Sequence, residues 1–221
     1  MVVTVAPAER KLTTELVVQA ARKIVAEHGV AGLSLRRLAA DLGVTAPALY
    51  GHVGNKENLL RLVAAEEYRE LATRMRTVDE PDPVRRIKAN AFVYFQYALE
   101  SPGRFGVLFA FRPWAPTDLA DAEGDPTLHP DAAEMFEVAV ASVREAVEEG
   151  LIDRTDPFEA ALCVWAAVHG AVTVALLGLG LGEGVELRLF EDVVDTVLVG
   201  MGADRSRLQG VAVGVQPEAR A

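Results

Sequence analysis

The chain has 221 residues, 51% of them hydrophobic and 24% charged, proportions that fit a soluble globular fold of one or two domains and exclude disorder and fibrous repeats. A single cysteine, Cys163, excludes a disulfide framework and fits a reducing, cytoplasmic setting, and no secretory signal is expected from the opening residues. The net charge of −10 would argue against nucleic acid if it were evenly spread.

Residues 1–11 have no periodicity and read as a flexible arm. A helix is predicted after Thr13 or Thr14, with Glu15 in its first turn, Leu16, Ala20, Ile24 and Val25 on one face, and Gly29 as its stop. Ser34 is then the N-cap of a short helix from Leu35 to Leu42, ended by Gly43. Thr45 caps a third helix over about 45–52, with Pro47 in its first turn, where a missing N–H costs little. Asn55 caps a long helix over about 56–77, striped by Leu60, Ala64, Tyr68, Leu71 and Met75. Beyond Pro81 and Pro83, five more helices are predicted near 83–100, 103–110, 130–149, 157–180 and 186–201. The segment 112–130, rich in Pro, Asp and Gly, reads as a long loop, and 203–221 as a disordered tail. No run sustains period-2 alternation, so the fold class is all-α.

Three short helices over 12–56, the last two joined by a Gly-containing turn, have the layout of a helix-turn-helix module. Residues 10–56 hold seven basic side chains against three acids, a net of +4 that leaves −14 on the rest of the chain. A basic head on an acidic body suits a head that meets a polyanion. A major groove about 12 Å wide admits one helix while the preceding helix crosses the backbone. Once Leu49 and Val53 are assigned to the core, the second helix of the pair exposes Thr45, Ala46, Pro47, Tyr50 and His52. Tyr50, His52 and Lys56 can donate to phosphate, and the N–H groups near Asn55 add to them. Alternatives stay open: Arg36 and Arg37 as a solvated pair, Tyr50 as a half-buried aromatic, His52 as a helix cap. One head offers few phosphate contacts, so useful affinity needs two, which implies a homodimer on a near-palindrome.

The residues Leu33-Ser34-Leu35-Arg36-Arg37-Leu38-Ala39, Leu42-Gly43-Val44, Pro47-Ala48-Leu49-Tyr50, His52-Val53 and Lys56-Glu57-Asn58-Leu59-Leu60 resemble the TetR family of bacterial transcription regulators. The resemblance implies that Arg36 reaches base edges and that Ala46, Pro47 and Ala48 form the reading face. It assigns Tyr50, His52 and Lys56 to phosphate, and Ser34 and Thr45 complete the set expected at DNA. Gly51 stands where relatives often carry a larger side chain, which leaves few base-reading groups on that helix and gives weight to DNA shape. The function implied is a homodimeric repressor of an operator, released by a small hydrophobic effector. The alternative is a dimeric small-molecule-binding or protein-interaction module with weak or no DNA affinity.

The body, over 57–202, is expected to bind effector and to dimerise. Trp165-Ala166-Ala167-Val168-His169-Gly170 resembles the signature of the Trp/His-Gly type of C-terminal domain in that family. Trp165 and His169, four apart, share a helix face; it either lines a pocket, or joins the dimer seam, or holds a core histidine bonded to a backbone carbonyl. Ala160–Gly182 carries no formal charge over 23 residues, long enough for a bilayer. Its alanines and glycines, His169, and the acidic flanks Glu159 and Glu183 favour a buried dimer helix instead. The family pairs its last two helices with their mates, so Val172, Leu176, Phe190, Val193, Val194, Val197, Leu198 and Met201 are the expected seam. Phe92, Phe95, Phe105, Phe109, Phe111, Trp114, Trp165 and His169 are the expected ligand-binding set, in an apolar pocket with few polar groups such as Tyr94, Tyr97 and Thr173. No enzyme, metal or cofactor is expected: the four histidines are dispersed, and Cys163 and His169 fall about 120° apart on a helix. Gly178, Gly180 and Gly182 follow no strand, and no nucleophile sits beside a base.

Overall fold

The computed structural model describes residues 11–110, 130–179, 182 and 184–211. The expected arm (Lys11 apart), nearly all of the expected loop, with Phe111 and Trp114, and residues 212–221 lie outside the described residues. Among those described the chain is all-α, without strands: α1 (Thr14–Gly32), α2 (Leu35–Asp41), α3 (Ala46–Val53), α4 (Lys56–Arg76), α5 (Pro83–Glu100), α6 (Pro102–Leu108), α7 (Pro130–Glu148), α8 (Pro157–Leu176) and α9 (Val185–Gly200), then a 3-10 turn, Arg205–Leu208.

Side-chain caps explain where most of these helices begin. Thr13 accepts from the Leu16 N–H at 3.3 Å, Thr45 from that of Ala48 at 3.4 Å, and Asn55 from that of Asn58 at 2.7 Å. Asp82 and Asp156 each accept two N–H bonds at the starts of α5 and α8. Each cap satisfies donors that the first turn leaves without intrahelical partners. Ser34 sits at the N-cap of α2 but makes no side-chain capping bond. α8 ends short of the predicted residue 180 because Gly178 takes φ +59, a left-handed turn that stops the helix although the apolar pattern runs on.

α1, α2 and α3 form the head around Leu38, Leu49 and Val53, all buried. α4 runs out of the head into the body and packs against α1, α5, α6 and α7; α5 lies at the centre of the body, touching α4, α6, α7, α8 and α9. The sequence stripe Leu60, Ala64, Tyr68, Leu71, Met75 is buried throughout. α8 is long and apolar enough to cross a membrane, but it packs here against α5, α7 and α9.

Two expectations need correction. Of the eight residues expected in a dimer seam, Val172, Phe190, Val194, Leu198 and Met201 are buried in the protomer's own core and are unavailable to a partner. Only Leu176, Val193 and Val197 reach the surface. α9 needs one apolar face simply to pack on α5 and α8, and the periodicity reported that face. The tail expected to be disordered from 203 is instead docked as far as Val211, with Ala203, Leu208 and Val211 buried. The Arg85 guanidinium donates to the carbonyls of Arg207, Gln209 and Gly210 at 2.9–3.3 Å. The buried Lys88 ammonium donates to the Leu208 carbonyl at 3.2 Å and pairs with Asp195 at 2.6 Å. Besides these buried side chains and the Arg207–Asp82 ion pair, the strap is held by its main-chain carbonyls, and carbonyls leave no periodic signature in a sequence.

Candidate functional site

The head presents one exposed face. Ser34, Arg36, Thr45, Pro47, Ala48, Tyr50, His52 and Lys56 are exposed and Ala46 is half-buried, while Leu49 and Val53 turn inward. Tyr50 is 49% exposed, so it is no core aromatic. Arg36 and Arg37 part company: Arg37 lies 3.8 Å from Asp41 and donates towards the His28 Nε2 at 3.2 Å, whereas Arg36 carries no ion pair among the described residues. Lys56, at the start of α4, has none either. Gly51 leaves open space around its backbone, so the middle of α3 is bare.

One of the head's basic residues is used elsewhere. Arg22 of α1 turns into the protein and donates to Glu67 of α4 at 2.7 Å and also to Glu70. Arg104 of α6 donates to the same Glu67 at 2.8 Å and to Glu70, and the Tyr97 hydroxyl of α5 donates to Glu67. Glu67 is fully buried. Burial would raise its carboxyl, but the bonds from Arg22, Arg104 and Tyr97 outweigh that and hold it below the ordinary carboxylate range. Head, linker helix and body thus meet at one ionised, hydrogen-bonded group. Beside it, α6 approaches α1 so closely that a Cβ on Gly103 would fall 2.1 Å from the Val25 carbonyl oxygen.

The body holds an apolar cavity of about 50 Å³ between α4, α5, α7 and α8. Its walls are Met75; Ile87, Asn90, Ala91 and Tyr94; Met135, Phe136, Ala139 and Val143; and Ala161, Val164, Trp165 and Val168. The Tyr94 hydroxyl lies 2.9 Å from the His169 Nδ1 and also interacts with Trp165. Burial lowers the His169 pKa and raises that of Tyr94, so the bond joins a neutral imidazole to a protonated phenol. His169 is therefore not a core histidine bonded to a backbone carbonyl. Its ring stacks on Trp165 at 5.1 Å and meets Phe109 at 4.7 Å, while Phe105 packs edge-on against Tyr94 at 5.3 Å. Through Phe105 and Phe109 this ring cluster reaches α6, the helix that carries Gly103 and Arg104.

Of the residues expected around a ligand, Trp165 lines the cavity; His169, Phe105 and Phe109 stand behind its wall. Phe92 and Phe95 do not belong to it. They are buried and pack on Phe190 of α9, at ring distances of 5.8 and 4.6 Å. The sequence reading passed over Asn90, although Ile87, Asn90, Ala91 and Tyr94 form one helical stripe and a polar residue within an apolar stripe is a signal. Among the described residues no group of three or more His, Cys, Asp or Glu is placed to hold a metal.

Residues 17–63 match the family described as bacterial regulatory proteins, tetR family, and residues 87–197 match the tetracyclin repressor-like C-terminal domain. The match is to that domain and does not extend to the Trp/His-Gly subtype. An uncharacterized HTH-type transcriptional regulator of Mycobacterium tuberculosis is 28% identical over 172 residues, which cover 76% of this chain and 72% of that protein. A structure of a protein of unknown function from Rhodococcus sp. RHA1 superposes with a TM-score of 0.72 at 24% identity, covering 89% of this chain and 99% of that one. RolR in complex with resorcinol has the same fold, with a TM-score of 0.65 at 17% identity over 93% of this chain and 95% of that one.

Proposed function

The chain belongs to the TetR family and is a transcription regulator, not an enzyme, and on that footing we propose that it is a repressor that binds a near-palindromic operator as a homodimer and is released by a small effector held in the body. The observation that carries the proposal is the exposed face of the head. Among the described residues Arg36 and Lys56 stand there without ion pairs, while the other arginines are mostly matched to carboxylates. An unmatched cation at a small, exposed helix tip suits a phosphate or a base edge. The work would be done on chromosomal DNA in the cytoplasm.

The test is binding of genomic fragments by the full chain, followed by fluorescence anisotropy across a salt series. Arg36→Ala is expected to lower affinity by about 1–3 kcal/mol and to blur one base position, while Lys56→Ala weakens all sequences alike and reduces the salt slope by about 1. An Arg36→Ala protein that ranks sequences as its parent does would remove Arg36 from the reading set.

Two heads need a shared body. With most of the α9 stripe occupied internally, the support for a seam comes from α8 and its C-cap Leu177, which expose Leu162, Cys163, Ala166, Gly170, Thr173 and Leu177 at helical spacing. Leu162 is 39% and Leu177 64% exposed, an apolar surface with small residues between that suits a second copy of the same helix. Leu176, Val193 and Val197 flank it. Ala166→Arg, an exposed change that spares the protomer core, is expected to give monomers in sedimentation velocity and to lose operator affinity. A parent protein that sediments as a monomer at tens of micromolar would remove the dimer from the proposal.

The cavity supports the effector half of the proposal, as does RolR, which holds resorcinol in the same fold. At about 50 Å³ the space admits a few waters, so a ligand has to part α5, α7 and α8 to enter. That displacement is a differential interaction with two body states, which any release mechanism requires. The ring cluster carries it to α6, and α6 abuts α1 of the head. A coupling of about 1–3 kcal/mol is the usual scale for such regulation.

A further inference from the structure

We infer that the cavity takes a small neutral ligand bearing a hydrogen-bond donor, and that the side-chain carbonyl of Asn90 receives it; the inference rests on the effector reading above. Asn90 is 3% exposed, and its Oδ1 is buried with no hydrogen-bond partner. An amide oxygen left unpaired in the interior is a standing cost to folding, so a native protein that keeps one calls for an explanation.

The surroundings give the explanation. Asn90 lies in the wall of the cavity among Ile87, Met75, Met135 and Ala139. The other polar side chains there, Tyr94 and Trp165, are already engaged with each other and with His169. The cavity therefore offers a ligand one open acceptor and no ionised group. A charged ligand finds no counterion in the cavity wall, and a ligand without a donor leaves the Oδ1 of Asn90 unmet. A neutral donor, such as a phenolic or alcoholic hydroxyl, completes the one unmet bond.

Asn90 is also placed where a ligand arrives. It and Met75 belong both to the cavity and to the open cleft between α4, α5 and α7 that is bordered by Arg76, Arg86 and Glu134. The two residues form the partition between solvent and interior. Met75 is unbranched and adaptable enough to swing aside, and a molecule that has passed the charged rim of the cleft meets Asn90 as it enters the cavity.

The experiment uses three probes of nearly equal shape, phenol, anisole and toluene, with binding to the full-length protein read by intrinsic fluorescence and by thermal shift. The expected result is that phenol binds the parent about tenfold more tightly than either of the others. Asn90→Leu is expected to abolish that preference, to bind toluene at least as well as the parent does, and to melt several degrees higher without ligand. Asn90→Ala, which removes the amide without adding bulk, is expected to lose the preference in the same way. A phenol preference that survives both substitutions, or a preference for anisole, overturns the role of Asn90 and leaves the effector cavity standing. Failure of all three probes to bind any of the proteins at millimolar concentration overturns the cavity reading and this inference together.

Discussion

Glu67→Ala is expected to lower the stability of the protein by about 3–5 kcal/mol, read as the displacement of a urea unfolding curve at neutral pH. The size follows from what is left behind. With the carboxylate gone, the Arg22 and Arg104 guanidiniums face one another with only Glu70 between them, and the Tyr97 hydroxyl loses its acceptor. Removing one partner from a buried ionic group costs more than the group contributes net, because the remaining charges stay desolvated. Acid should act on the same point. The Glu67 carboxyl is held below its ordinary value of 4.5, so the unfolded chain takes up its proton first. Its stabilising contribution is complete above pH 4.5 and is lost as the pH falls through the depressed value. A displacement below about 1 kcal/mol would place Glu67 in the class of surface ion pairs and remove the junction of head and body as a point of strength.

Gly103→Ala is expected to cost about 1–3 kcal/mol and, unlike most changes of that size, to alter operator affinity by tenfold or more. Gly103 sits in α6 with ordinary helical backbone, so strain is not the reason. Its hydrogen faces Val25 and Ala26 within α1, where a methyl group would lie 2.1 Å from the Val25 carbonyl and 3.2 Å from that of Ala26. Neither atom belongs to a flexible side chain, so α6 and α1 must move apart. α1 packs on α2 and α3 of the head, and α6 with its C-cap carries Phe105 and Phe109, so the separation shifts the head against the ring cluster. The internal control is Gly106→Ala in the same helix, where the added methyl meets nothing within 4 Å. Helix propensity makes that change neutral or stabilising by up to about 1 kcal/mol. If the two alanines behave alike in unfolding and in anisotropy, the close approach of α6 to α1 has no mechanical importance.

The head was largely legible because its signals are local. Thr13, Thr45 and Asn55 cap the helices whose starts they announce, and Leu49 and Val53 are core because the 3.6-residue period requires it. Arg22 illustrates the limit. Its charge was counted with a nucleic-acid-facing head, yet its partners Glu67 and Glu70 lie 45 and 48 residues further on, and no spacing rule pairs residues so far apart. Periodicity likewise tells that a face is buried without telling what buries it, which is why Phe190, Val194 and Leu198 read as a seam between copies. Aromatic content had the same weakness, since Phe92 and Phe95 fill core around Phe190 while Trp165 borders open space. Asn90 was within reach of sequence reasoning as the odd residue in an apolar stripe, and its significance came only from the absence of a partner.

The junction at Glu67 also bears on how such a protein could exchange parts with others. A head of about 45 residues looks like a cassette that recombination might graft onto any body, yet here one residue of the cassette, Arg22, completes a charge network owned by the recipient. A donor head lacking arginine at that position would leave an ionised carboxylate sealed inside the hybrid, short of one of its counterions. Successful grafts onto this body should therefore inherit that arginine along with the helix that reads DNA, and the boundary of the inherited unit is set by chemistry at the seam as much as by the turn where the helices part.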